Sequence, residues 1–200
     1  MTAQPESRTP DSGFRAVVMG ASAGGLKALT AVLSRLPETF ALPVLVVQHL
    51  HASDDGRFAE HLDSLVSVAV KEARDKETIC PGQVYLAPAN YHMLVEREET
   101  IALSVDDRVN WSRPSIDVLF ESAAAVWGRS LIGVILSGAN HDGAAGMSAI
   151  VDQGGVAIAQ DPATADRPEM PSAAIAGTRS ATVLPPSRIG DLLRHHGSLH

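Results

Sequence analysis

The chain has 200 residues, of which 45% are hydrophobic, and a formal net charge of −7 at pH 7. This length suits one domain with a sizeable buried core, and the negative charge argues against a nucleic-acid binder, which usually has a basic face. No apolar run approaches the roughly 20 residues that span a bilayer, and residues 1–13 lack the hydrophobic segment of a signal peptide. The single cysteine, Cys80, excludes an internal disulfide framework, so we expect a soluble cytoplasmic protein without membrane insertion.

After a tail over residues 1–13 that is rich in Pro, Ser, Thr and charge, apolar runs alternate with helical patterns. The runs at 16–19 and 43–47 predict buried strands, with an amphipathic helix from about residue 25 between them. Ser53 offers an N-cap for the next helix, because two aspartates follow it in the predicted first turn. This part of the chain predicts a strand–helix–strand–helix succession.

The rest of the chain continues the alternation and adds a hairpin. The segments at 92–96 and 100–105 flank a charged stretch and predict two antiparallel strands. An amphipathic helix is predicted with Ser115 as its N-cap and Trp127 near its end. Further apolar runs predict strands at 83–88, 132–136, 155–159 and 181–184.

Most of these strands are apolar without polar alternation, which indicates a sheet that is buried on both faces. We therefore expect an α/β fold: a doubly wound, mostly parallel sheet with helices on both faces and an antiparallel β-hairpin. The expected folded domain covers residues 14–195 and is followed by a polar C-terminal tail at 196–200.

Three chemically active side chains follow predicted strands. Ser22 comes after the first strand, His49 after the second, and Asp142 after the strand at 132–136. Since such sheets bind ligands beyond the carboxyl ends of their strands, all three should lie on one edge. A hydroxyl, an imidazole and a carboxylate are the groups of a Ser-His-Asp hydrolase, in which the imidazole takes the serine proton and the carboxylate orients the imidazole.

The glycine spacing around the serine fits the same hypothesis. In Gly20-x-Ser22-x-Gly24, side chains two positions from the serine would crowd a nucleophile elbow. Backbone N–H groups of this turn, such as that of Ala23, are candidates for an oxyanion hole. The N–H groups of the later glycine-rich loop, at Gly138 and Ala139, are further candidates.

Other uses of these residues remain open on this reasoning alone. A glycine-rich turn before a helix could cradle a phosphate, although the G-x-G-x-x-G spacing and the ribose-binding acid of dinucleotide sites are missing. Asp142 could be an ordinary helix N-cap. A metal site would need histidines with a recognised ligand spacing, which is missing among His49, His51, His61 and His141.

Six motifs occur in one order along residues 14–193: GASAGG, VVQHL, VKEARDKETICPGQVYLAPANYHM, RPSIDVLFESAA, GVILSGANHDGAAGM and AIAQDP. Together they resemble the catalytic domain of the chemotaxis protein-glutamate methylesterase family, CheB. The resemblance implies that Ser22 is the catalytic serine, His49 the histidine and Asp142 the aspartate. It also implies hydrolysis of glutamate γ-methyl esters on the cytoplasmic helices of methyl-accepting chemoreceptors, with release of methanol, and deamidation of receptor glutamines. No metal or organic cofactor is implied.

The sequence departs from the family pattern in three places. Family members commonly carry an N-terminal receiver domain where this chain has a short tail, so we expect a separate regulatory partner. The loop that usually reads TGMGxDG is SGANHDG at 137–143, which puts Ala139 at the position of the family's methionine. The segment TADRPEMP, with Met170, replaces the usual VVYGMP and alters the expected rim of the cleft.

Arg113, which precedes Pro114, is expected to form a structural ion pair, with contact to an acidic receptor surface as the alternative. Two other function classes compete with the enzyme: a CheB-like binding or signalling module whose triad is unused, and a nucleotide-binding protein.

Overall fold

The computed structural model describes residues 13–197, which contain a seven-stranded parallel sheet and a separate two-stranded antiparallel sheet. The strands are β1 (Ala16–Ala21), β2 (Val44–Gln48), β3 (Ala69–Glu72), β4 (Gln83–Leu86), β5 (His92–Val95), β6 (Ile101–Ser104), β7 (Leu131–Ile135), β8 (Val156–Gln160) and β9 (Thr182–Leu184). The large sheet has the order β3-β4-β2-β1-β7-β8-β9, and β5 pairs with β6. The expected α/β class and the antiparallel hairpin are confirmed.

Helices cover both faces of the large sheet. They are α1 (Gly25–Leu33), α2 (Arg57–Asp63), α3 (Ile116–Trp127), α4 (Ala144–Asp152), α5 (Glu169–Gly177) and α6 (Pro186–His196). Helices α1, α2 and α6 pack on one face, whereas α3, α4, α5 and the β5–β6 hairpin pack on the other. Among the helices of residues 13–197, none combines the length and apolar character needed to cross a membrane.

Strand β1 explains the continuous apolar runs of the sequence. Val17 and Met19 belong to the core on the α1 face, whereas Ala16 and Val18 belong to the core on the α3 face. All six residues of β1 are buried. A strand that packs on both faces needs small or apolar residues at every position, which is the pattern that predicted a parallel sheet.

The predicted start of the second helix is wrong, and several strands and helices of the structure were not predicted. Helix α2 begins at Arg57, and its N-cap residue is Gly56 rather than Ser53. The Ser53 hydroxyl instead bonds to the His51 ring at 2.8 Å. Strand β3 and helices α4, α5 and α6 are not among the elements predicted above. β3 is a four-residue edge strand with two charged residues, so its sequence contains no clear strand pattern.

Helix α6 continues through His196, beyond the domain boundary expected at residue 195. The His196 ring packs edge-on against Phe14, with 5.0 Å between centroids. The carbonyl of Gly197 accepts a hydrogen bond from Ala41 N at 2.9 Å. The expected tail segments at 1–12 and 198–200 lie outside the described residues.

The chain path places a crevice at the carboxyl ends of β1 and β7. Helix α1 leaves β1 over one face of the sheet, whereas α3 enters β7 over the other face. Neighbouring strands with helices on opposite faces leave an opening beyond their carboxyl ends, where α/β sheets bind ligands. Ser22 follows β1 directly, and Asp142 lies in the loop after β7.

Candidate active site

Ser22 stands in a tight turn between β1 and α1. Its carbonyl accepts a hydrogen bond from Gly25 N at 2.8 Å, and its N–H donates to Ser137 O at 2.9 Å. Gly24 has a φ of 78°, in the left-handed region that favours glycine. At Gly25, an added Cβ would lie 1.9 Å from the amide oxygen of Gln48. The glycines therefore let this turn approach its neighbours closely, and the half-buried serine is held by backbone bonds on both sides.

His49 lies beside Ser22 because β1 and β2 are paired in register up to their ends. Ala21 is the partner of Gln48 in this ladder, and His49 N donates to Ala21 O at 3.0 Å. The buried Gln48 amide donates to the carbonyls of Ser22, at 2.9 Å, and of His49, at 3.0 Å. Gln48 thus ties the serine turn to the histidine, a role that its place next to the histidine in the sequence does not reveal.

Asp142 is fully buried and bonded directly to the histidine. Its carboxylate lies 2.8 Å from His49 Nε2, and the relative exposures of these two side chains are 0% and 14%. The carboxylate accepts four further hydrogen bonds, from Asn110 Nδ2 (3.0 Å), Ser115 Oγ (2.8 Å), Ile116 N (2.7 Å) and Asp117 N (3.2 Å). Burial alone would raise the pKa of Asp142, but the hydrogen bonds, led by that of His49, hold it below its ordinary value.

Asp142 caps α3 rather than its own helix. The first N–H groups of α3 point at its carboxylate, whereas the N-cap of α4 is Gly143. A carboxylate at a helix N-terminus is stabilised by the free N–H groups and by the helix dipole. Asp142 is therefore not the N-cap of the helix that follows it in the sequence, as considered above, but accepts hydrogen bonds from the N-terminus of α3.

A second buried carboxylate, Asp117, lies beside Asp142. Asn110 Nδ2 donates to both, at 2.7 Å to Asp117 and 3.0 Å to Asp142, and Gly146 N donates to Asp117 at 2.7 Å. Burial raises the pKa of Asp117, and the charge of Asp142 raises it further. Asn110 therefore donates hydrogen bonds to two carboxylates whose pKa values shift in opposite directions: the pKa of Asp117 is raised and that of Asp142 is lowered. Neither Asn110 nor Asp117 follows a strand of the large sheet, so the strand-end argument could not find them.

The histidine ring has one nitrogen left for proton transfer. Because Nε2 is bonded to Asp142, Nδ1 is the atom that can take a proton from a nucleophile. Within residues 13–197, the Ser22 hydroxyl makes no hydrogen bond to another protein group, His49 included. Catalytic hydrogen bonds are often long before substrate binds and tighten in the complex.

The expected oxyanion donors differ in their availability. The N–H of Gly138 donates to Arg167 O at 3.0 Å, so it is already engaged. The exposed Ala23 and Ala139 have backbone N–H groups that bond to no protein acceptor in the described part of the chain. Ser137 fixes the two loops relative to each other, because its hydroxyl donates to Ala23 O at 2.8 Å.

Met170 is not a rim residue. Its side chain is 1% exposed, and it packs where a Cβ on Gly138 would stand. The Met170 N–H donates to Gly138 O at 2.9 Å. Met170 therefore supports the loop that contains Ala139 and does not itself face the cleft, which corrects the expectation from the sequence.

An open cleft of about 320 Å³ adjoins His49. Its lining includes His51, Arg108, Trp111 and Arg113. Arg113 Nη1 donates to the carbonyls of Val105 (2.6 Å) and Asp106 (2.9 Å). It forms no ion pair within residues 13–197, which corrects the expected structural ion pair, whereas the contact with a receptor surface stays a prediction.

The histidines considered as metal ligands do not gather. In the described part of the chain, no three His, Cys, Asp or Glu side chains are placed so that they could hold a metal ion. His49 is bonded to Asp142 and His51 to Ser53. The arrangement at this edge fits proton transfer to and from a hydroxyl better than it fits a metal centre.

Comparisons with known proteins assign the chain to a family. Residues 17–193 match the family model described as CheB methylesterase. A Leptospira interrogans protein, provisionally named protein-glutamate methylesterase/protein-glutamine glutaminase, is 48% identical over 90% of this chain and 93% of its own length. A Symbiobacterium thermophilum protein with this name is 41% identical over 90% of this chain, and the chain spans 49% of its length.

A solved structure extends the likeness to three dimensions. The crystal structure of the Thermotoga maritima CheB methylesterase catalytic domain superposes with a TM-score of 0.85 and 33% sequence identity, and the match covers 91% of this chain and 98% of that one. The family match, the identities and the shared fold cover nearly the whole described chain. The chain belongs to the CheB methylesterase family.

Proposed function

We propose that this protein hydrolyses glutamate γ-methyl esters on chemoreceptors and releases methanol, with Ser22, His49 and Asp142 as its catalytic triad. The observation that carries the proposal is the 2.8 Å bond between His49 Nε2 and the buried Asp142 carboxylate, next to the serine turn. A buried anion held in its charged form orients the imidazole and stabilises the imidazolium that forms during proton transfer.

In the first half of the reaction, Ser22 Oγ attacks the side-chain carbonyl carbon of the ester and its proton passes to His49 Nδ1. The negative oxygen of the tetrahedral intermediate accepts hydrogen bonds from the N–H groups of Ala23 and Ala139. His49 then gives its proton to the methoxy oxygen, so methanol leaves and an acyl-enzyme remains.

In the second half, water attacks the acyl carbon while His49 Nδ1 accepts a water proton. The proton returns to Ser22 Oγ as the C–O bond breaks, which releases glutamate and restores the enzyme. A glutamine side chain enters the same sequence with ammonia as its leaving group. The name of the relatives, which includes protein-glutamine glutaminase, supports this second activity.

The test compares two histidines. His49→Gln should lower methanol release from a methyl-labelled chemoreceptor fragment by about 10³-fold or more, because the general base is lost. His61→Gln is the matched control, since His61 is exposed on α2 and should retain wild-type release. The measurement is labelled methanol over time. No release by wild-type protein, or equal release by His49→Gln, would refute the proposal.

A further inference from the structure

We propose that the turn at 109–112 docks the acidic polypeptide segment that carries the scissile ester. Trp111 of this turn is the apolar contact, and Arg108, which directly precedes the turn, is the ionic contact. The proposal rests on the proposed function, because it names the surface of the same cleft that binds the substrate protein. Neither residue belongs to the triad or to the oxyanion donors described above.

The exposure of Trp111 is the first observation. Its side chain is 91% exposed, whereas the other tryptophan, Trp127, is 5% exposed. Trp111 has a φ of 63° and Asn110 a φ of 50°, so both central residues of the turn are left-handed without being glycine. Tryptophan is an uncommon residue for such a position, and strained backbone of this kind occurs preferentially at functional sites.

Hydrogen bonds fix the turn to the proposed triad, so the Trp111 indole is kept exposed to solvent. Val109 N donates to Ser112 O at 3.2 Å and Ser112 N donates to Val109 O at 2.9 Å. The Asn110 amide is anchored to the buried carboxylates of Asp117 and Asp142. The indole could not fold back by rearranging the turn without breaking these bonds. A rigid aromatic side chain loses little conformational freedom when a partner covers it.

The position of the turn indicates which partner covers it. Trp111 and His49 line the same cleft, so a segment that lies in this cleft beside His49 would contact the indole. Val109 of the same turn is exposed as well. The exposed apolar residues Leu65 and Val183 stand apart, before β3 and on the edge strand β9.

The charge of the cleft complements an acidic segment. Its lining contains Arg108 and Arg113 and no Asp or Glu, although the chain has a net charge of −7. Asp106 and Asp107 precede Arg108 but do not line the cleft. Arg113 is committed to backbone carbonyls, whereas Arg108 is exposed and has no side-chain partner within residues 13–197. The guanidinium of Arg108 is therefore available to a carboxylate of the bound segment.

The apolar contact is tested by binding in a Ser22→Ala background, with a methylated soluble chemoreceptor fragment as the probe. Covering Trp111 should shift the tryptophan emission to the blue, because Trp127 is already buried. Adding Trp111→Ala should abolish the shift and weaken binding at least tenfold, measured by calorimetry, whereas Trp111→Phe should weaken it less than threefold. Leu65→Ala is the control for loss of an exposed apolar side chain and should bind as the background does.

The ionic contact is tested with a matched pair of charge reversals. Arg108→Glu should weaken binding at least tenfold, whereas Arg188→Glu, an exposed position on α6 away from the cleft, should not. Equal affinities of Trp111→Ala and the background, or equal effects of the two reversals, would overturn the docking proposal. Methanol release by the wild-type protein is read separately. If the wild-type protein released no methanol but binding still depended on Trp111, the proposed enzyme activity would be refuted and the docking surface would be supported.

Discussion

Asp142 combines two properties that oppose each other in most proteins: its side chain is fully buried, and its pKa lies below the ordinary value. Burial disfavours the charged carboxylate, so the charge must be stabilised by the five hydrogen bonds that it accepts. Hydrogen bonds to a charged carboxylate, such as those from the first N–H groups of α3 and from His49, are stronger than those between neutral groups. The residue that orients the histidine is also the residue that holds α3 in place.

This dual role predicts a pH-dependent loss of stability in Asp142→Asn. Since the folded pKa is lowered, the carboxylate stabilises the fold fully above about pH 5 and ceases to do so as pH falls through the folded value. At pH 7 the variant should lose about 3 kcal/mol of unfolding free energy and most of its activity. The difference from wild type should shrink below about pH 4, as measured by urea unfolding across pH.

The exposed Asp152 at the end of α4 provides the control. Asp152→Asn should change the unfolding free energy by less than about 0.5 kcal/mol. If the difference between wild type and Asp142→Asn were the same at pH 7 and below pH 4, the charge of Asp142 would not be the stabilising feature.

At the scale of elements, α3 and α4 meet through a glycine. A Cβ on Gly146 would lie 2.4 Å from Phe120 Cβ, and the Gly146 N–H donates to the buried Asp117 carboxylate at 2.7 Å. The close approach of the two helices therefore sets the position of Asp117, and through Asn110 that of Asp142. The packing of α3 against α4 is therefore coupled to the position of the Asp142 carboxylate, a member of the proposed triad.

Gly146→Ala should destabilise the protein by about 1–3 kcal/mol, because the extra methyl group has no space at this packed contact. Activity should fall as well, since Asp117 and Asn110 would shift. Gly177 on α5 is the matched control, because an added Cβ there meets nothing closer than 3.8 Å. Gly177→Ala should raise stability by about 0.5 kcal/mol through the unfolded state. Chemical unfolding of both variants measures the contrast, and equal effects would contradict the packing account.

At the scale of the whole molecule, the sheet topology explains which parts of the site were predictable. Residues directly after neighbouring parallel strands lie at the same edge of the sheet, so the neighbouring positions of Ser22 and His49 could be predicted from the sequence. Asp142 follows its strand by several residues and reaches the same edge through its loop. Asn110 lies in a turn outside both sheets, and its contacts depend on how α3 and α4 pack, which no local pattern encodes.

Among the helices and strands too, those set by a local sequence pattern were predictable and those set by tertiary contacts were not. Strands buried on both faces were predictable because every position must be apolar, as in β1. The four-residue edge strand β3 and the helix start at Gly56 depend on tertiary contacts and on a left-handed backbone, for which Ser53 gave a false cap signal. The motif around Met170 predicts a position at the rim of the cleft, whereas packing against Gly138 buries the residue.

Methanol release by Ser22→Ala is the decisive test of whether Ser22 is the nucleophile of a methylesterase. The variant should release methanol from a methyl-labelled chemoreceptor fragment at least about 10³-fold more slowly than wild type. Its unfolding free energy should be unchanged, because within residues 13–197 the lost hydroxyl bonds to no protein group. Release above about one hundredth of the wild-type rate by the folded variant would contradict the assignment.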